Sequence, residues 1–115
     1  MAKHYLLIYS EQLATDIELL CQNIKAPSNT LFQIRKSSSS VYANIREANY
    51  GQSKADFISK MHIALKETAE TEYWIKLLAM SEYITEDMGE SLLNECLEIK
   101  KILIASINTA KENKQ

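Results

Sequence analysis

Helix breakers are nearly missing from this chain. Its 115 residues contain two glycines, Gly51 and Gly89, and one proline, Pro27. An all-β fold of this length needs a turn about every 8–12 residues, and three breakers cannot supply them. They are enough to punctuate an all-α fold. The length suits one core, so residues 1–115 read as a single domain.

Between the breakers, apolar residues recur at three- and four-residue steps, the period of a helix with one buried face. Leu6, Tyr9, Leu13, Ile17, Leu20 and Ile24 predict a first helix over about 3–24. Pro27 ends it, and Ser28 or Asn29 is placed to cap a second helix over about 30–49. The second core stripe, Ile34, Ser38, Val41, Ile45 and Ala48, is small and includes part of the run Ser37–Ser40. Small residues on a buried face permit close helix approach, and their hydroxyls can bond within the turn. Ser53 and Asp56 have capping-box spacing and open a third helix over about 54–80. Its core face is Phe57, Met61, Ala64, Leu65, Thr68, Ile75 and Ala79. Residues 81–89 form a polar connection with Tyr83 and Ile84 turned inward. The fourth helix, over about 90–108, buries Leu92, Cys96, Ile99, Leu103 and Ile107, and the Lys-rich tail from Lys111 frays. Long amphipathic helices joined by short connections imply an antiparallel, up-down-up-down four-helix bundle.

Charge is spread unevenly. Residues 25–66 carry seven Lys/Arg against two acids, whereas residues 67–98 carry nine acids against Lys76. Such polarity suits an anionic partner, pairing between copies, or simply a solvated surface. Cys21 and Cys96 lie in apolar stripes, as buried reduced thiols do. The N-terminal apolar run is too short for a signal peptide or a membrane span, so a cytoplasmic location is expected.

Several residues remain once a core is filled. On helix 3, Ile63, Trp74 and Leu77 fall opposite Ile75 among Glu67 and Glu70, and these five form a candidate oligomer interface. On helix 2, Arg35, Ser39, Tyr42 and Arg46 make one polar stripe. With Lys36, and with Lys54 and Lys60 at the start of helix 3, the cations and Tyr42 form a candidate surface for RNA or DNA, gripping phosphates and stacking on a base. The same arginines could instead pair with acids of a neighbouring copy. A second stripe, with Ser40, Asn44 and Glu47, suits a polar network between helices.

The patterns of known catalytic chemistry do not occur. Bundle metal sites use Glu-x-x-His, and neither His4 nor His62 has a carboxylate three residues before it. There is no Cys-x-x-Cys and no Gly-rich phosphate loop. Glu67, Glu70 and Glu72 read as a solvated face rather than catalytic carboxylates. No metal, cofactor or enzymatic activity is expected.

Three stretches, Ser40–Ala48, Ser53–Met61 and Ile63–Trp74, together resemble the four-helix-bundle proteins first noticed in intervening sequences of 23S ribosomal RNA genes. The resemblance spans about residues 33–107 and is strongest over 33–78. Two departures from the commoner pattern are Ala48 after Glu47, in place of Gly, and Lys66-Glu67, in place of Gly-Ser. The family label records genomic location, and no enzymatic activity is established for it. The resemblance implies an antiparallel four-helix bundle that assembles as a ring-shaped homopentamer. A related branch, strongly basic where this chain carries a net charge of −2, serves diversity-generating retroelements as an accessory subunit binding nucleic acid and a reverse transcriptase.

Overall fold

The computed structural model describes residues 2–112, all helix and short connections. Helix α1 spans Ala2–Asn23, α2 Ser28–Ala48, α3 Lys54–Met80 and α4 Glu86–Glu112. Each helix packs on the next and α4 closes on α1, while the diagonal pairs α1/α3 and α2/α4 make no close backbone approach. The result is a four-helix bundle of 49 × 21 × 18 Å. Cross-helix contacts give the direction of one pair: Glu47 of α2 meets Lys60 of α3, and Ser37, earlier on α2, meets Thr71, later on α3. That register is antiparallel.

The core forms from the inner stripes of all four helices. Leu6, Leu13 and Ile17 of α1, Ile34, Val41 and Ile45 of α2, Met61 and Ile75 of α3, and Cys96, Ile99 and Leu103 of α4 are essentially inaccessible. The serine run adds closeness rather than flexibility. Ser37 and Ser38 are buried, and the Ser38 hydroxyl donates to the Ile34 carbonyl (2.9 Å). The Ser37 and Thr71 hydroxyls meet at 2.8 Å, and each also has a carbonyl of its own helix in range, Ile34 for Ser37 and Glu67 for Thr71. This buried polar link joins α2 to α3 with its hydrogen-bonding capacity used.

Five sequence expectations need correction. Tyr9 is not in the core; Ser10 is buried instead, its hydroxyl satisfied by the Leu6 carbonyl at 2.6 Å. The start of α2 is not capped by Ser28 or Asn29, which are already helical. Pro27 holds the cap position with no side-chain bond, and its carbonyl accepts from the Leu31 N–H at 3.1 Å. Tyr83 is exposed, and only Ile84 turns inward. Finally, α4 begins at Glu86, because the Thr85 hydroxyl accepts from the Met88 N–H at 3.1 Å and caps the helix there. Gly89 therefore lies inside α4. A Cβ there would stand 3.1 Å from the Ala79 Cβ, so the glycine lets α4 approach α3 closely. The helix also runs to Glu112, past the fraying expected from Lys111; residues 113–115 lie outside the described residues. The Ser53 cap is present, its side chain accepting from the Asp56 N–H at 3.1 Å.

The end of α3 stores a small strain. Glu82 has φ 66°, and the N–H groups of Glu82 and Tyr83 bond back to Ala79 and Leu78, a Schellman ending built on a residue with a Cβ. Glu82→Gly is expected to stabilise the fold by about 0.5 kcal/mol, the left-handed relief outweighing the added unfolded-state entropy. Urea denaturation midpoints measure it, and a destabilised variant would contradict the assignment.

Candidate functional site

The six candidate nucleic-acid contacts divide into three groups. Arg35 is spent within the chain: its Nε and an Nη reach both carboxylate oxygens of Glu18 on α1 at 3.0 and 3.1 Å. That bidentate pair holds the Glu18 carboxyl below its usual range. Lys60 is engaged too, 3.0 Å from Glu47, whose hydrogen bond pushes the lysine pKa up. Lys36 and Lys54 make no ion pair within 4.0 Å among the described residues.

Arg46 is held by aromatic groups rather than by a carboxylate. Its guanidinium carbon lies 5.9 Å from the centroid of the Tyr42 ring, and Tyr42 and then Tyr50 favour its charged form. Tyr50, which sequence spacing did not single out, is the more exposed of the two tyrosines. Beside them lies an open hollow of about 410 Å³ lined by His4 and Leu7 of α1 with Arg46, Asn49 and Tyr50. The His4 ring meets Tyr5 edge-on at 6.3 Å, and Tyr5 stands 5.9 Å from Tyr9. The corner itself gathers a permanent cation with the rings of Tyr42, Tyr50 and His4, a combination suited to phosphate and a stacked base.

The five candidate interface residues of α3 follow one another at steps of four and three residues. Ile63 and Glu70 are exposed, whereas Glu67, Trp74 and Leu77 are half-buried. Trp74 lies partly against the core, and its outer neighbour is Tyr73, which meets it edge-on at 4.8 Å and 78°. Burial, then Glu70, pushes the Glu67 carboxyl above its ordinary value. The candidate polar network takes a different form from the one spacing suggested. The Asn44 amide donates to the Ser40 carbonyl of its own helix (2.8 Å), and Glu47 reaches across to Lys60. The buried hydroxyl link between α2 and α3 is instead Ser37 with Thr71.

The α1–α4 seam holds a group that the sequence reading missed. It is the least tightly packed of the four seams and contains a groove of about 520 Å³. Glu95 of α4 faces Asp16 of α1 there, and Glu95 Oε1 is buried with no hydrogen-bond donor among the described residues. Burial first, then Asp16, pushes the Glu95 carboxyl up to about 8. Two ionised carboxylates cannot bond to one another, so the contact requires a shared proton. The available signal was an acid between Leu92 and Ile99, beside a core cysteine. Cys96 itself is an inert buried thiol, pushed up to about 12 mainly by burial.

Among the described residues, no group of three or more His, Cys, Asp or Glu side chains could hold a metal ion, and no helix is long and apolar enough to cross a membrane. The fold and its surfaces define a four-helix bundle whose distinguishing features lie outside the core. The chain belongs to the family of 23S rRNA-intervening sequence proteins, which it matches over residues 7–105. It is similar to a protein of unknown function from the S23 ribosomal protein family of Bacteroides thetaiotaomicron, with 42% identity, a TM-score of 0.88, and coverage of 94% of this chain and 99% of that one. No curated protein sequence matches the chain.

Proposed function

We propose that the chain is a non-catalytic, homo-oligomeric scaffold, pentameric as its family resemblance implies, and that it associates with nucleic acid through the corner around Arg46. The oligomer reading is carried by the large apolar side chains left outside the core. Tyr5, Ile8 and Leu19 of α1, Ile63 and Tyr73 of α3, and Leu97 and Ile104 of α4 are all exposed, on more than one side of the bundle. Scattered single hydrophobes are ordinary, but stripes of them at helical spacing mark contact surfaces. The nucleic-acid reading is supported by Arg46 among tyrosines, with Lys36 and Lys54 as further unpaired cations. In a ring, each weak patch is multiplied by the number of copies.

Light scattering on a size-exclusion peak, with absorbance followed at nucleic-acid and protein wavelengths, tests both parts. A mass of several chains is expected, and a monomer would remove the scaffold reading. For the nucleic-acid part, Arg46→Ala is expected to weaken binding of a labelled single-stranded oligonucleotide several-fold at low salt and to flatten its salt dependence. Arg35→Ala is expected to leave binding unchanged, because that guanidinium is already taken by Glu18. Equal effects from both variants would contradict the assignment. A second reading, a purely protein-binding module, is favoured by the internal pairing of Arg35 and Lys60. Assembly with no oligonucleotide binding would select it.

A further inference from the structure

The α1–α4 side of the bundle lies opposite the α2–α3 side, and the two differ in kind. Along α1, Tyr5, Tyr9, Gln12, Asp16 and Leu19 follow at steps of four and three, all at least partly exposed. Across the seam, Met88 of α4 is also exposed, and Leu20 and Leu92 close the floor of the groove. Asp16, Asp87 and Glu95 line this apolar groove, and no lysine or arginine does. Asp16 is satisfied by the Gln12 amide at 3.1 and 3.2 Å, which leaves Glu95 Oε1 as the buried atom without a donor.

We propose that this face is where a second copy of the chain docks, seating a lysine or arginine from its α2–α3 side against Glu95 and Asp16 between Leu19 and Met88. This rests on the homo-oligomeric reading and assigns the interface within it. Charge complementarity decides the occupant. Among the cations that make no ion pair, Lys36 on α2 and Lys54 at the start of α3 belong to the helix pair on the other side of the bundle. Two α1–α4 faces meeting across a two-fold axis would set acid against acid. Contact between unlike faces is heterologous, and it repeats from copy to copy until a ring closes.

Docking of a cation has a proton consequence. The charged group acting on Glu95 is Asp16 from α1; Asp87, on its own helix, lines the same groove. On the α3 side of α4, Glu72 is already closed off by Lys100 at 2.9 Å. In the free chain Glu95 is largely protonated at neutral pH. A cation against it favours the carboxylate, so assembly releases a proton and tightens as pH rises toward 8, then levels off.

Sedimentation velocity of the full chain over a concentration series at pH 6, 7 and 8.5 tests this. The wild-type association constant is expected to rise by about tenfold across that range, part of the limit set by one released proton. Glu95→Gln is expected to flatten the dependence, which separates Glu95 from the general charge of the chain. Leu19→Glu, at a half-exposed position where the fold tolerates change, is expected to weaken assembly by about tenfold or more at every pH, with an unaltered circular-dichroism melt. If the wild type assembles and neither variant alters it, the α1–α4 face is not the interface, and the scaffold reading stands without it. If the wild type is a monomer throughout, both fall together.

Discussion

Leucine in place of Ser37 is expected to destabilise the fold by about 2–3 kcal/mol, the combined cost of overpacking a closed contact and removing a buried hydroxyl partner. Ser37 is 2% exposed and stands where α2 meets α3, its hydroxyl 2.8 Å from that of Thr71. The isobutyl group has no room without pushing the helices apart, and it deprives the Thr71 hydroxyl of one of its two contacts. Ser39, two positions along the same run, is exposed. Ser39→Leu should fall within about 0.5 kcal/mol of wild type, since surface changes seldom cost more and leucine is the better helix former. Urea denaturation of the two variants side by side gives the answer. Equal stabilities would mean that the serine run is a loosely packed segment and not the closest seam of the bundle.

What could be read from the sequence was whatever depends on neighbours within one helix. The bounds of α3 are those its pattern predicts because the Ser53 cap is a local device, complete within four residues. The inner stripes of α2 and α4 follow from period alone. The errors arose where tertiary packing overrides the local signal. Gly89 looks like punctuation, yet the cap at Thr85 starts the helix four residues earlier and the bare Cα serves the approach to Ala79. Tyr9 fits the apolar stripe of α1, but Ser10 fits the space, and a bond to its own helix makes its burial inexpensive. The candidate site shows the same division. The helical spacing of Arg35, Tyr42 and Arg46 was plain, but whether each cation is free depends on another helix. Glu18 lies seventeen residues before Arg35 in sequence, and no periodicity connects Asp16 to Glu95.

That last pairing leads to the second large effect. Glu95→Gln is expected to stabilise the monomeric fold by about 1–2 kcal/mol at pH 8, a figure reduced from the full shift because the side chain as a whole is only partly buried and solvent at its edge screens the charge. The sign follows from where the proton is bound. The folded-state value of Glu95 is raised from its ordinary 4.5 to about 8, so between those pH values the folded chain holds a proton that the unfolded chain has lost. Stability from this group is therefore complete below about pH 4.5, declines as pH rises through the interval, and reaches its floor above about pH 8. Glutamine keeps the shape and can donate to Asp16 at any pH, so its advantage should be small at pH 5, grow through neutrality and become constant above pH 8. Denaturation curves at pH 5, 7 and 9, taken at protein concentrations below those of assembly, trace this difference. A Glu95→Gln advantage that stayed flat across the range would show that Glu95 is already ionised in the fold, stabilised by a donor other than a shared proton. The groove would then lack the unpaired acid that makes it receptive to a cation.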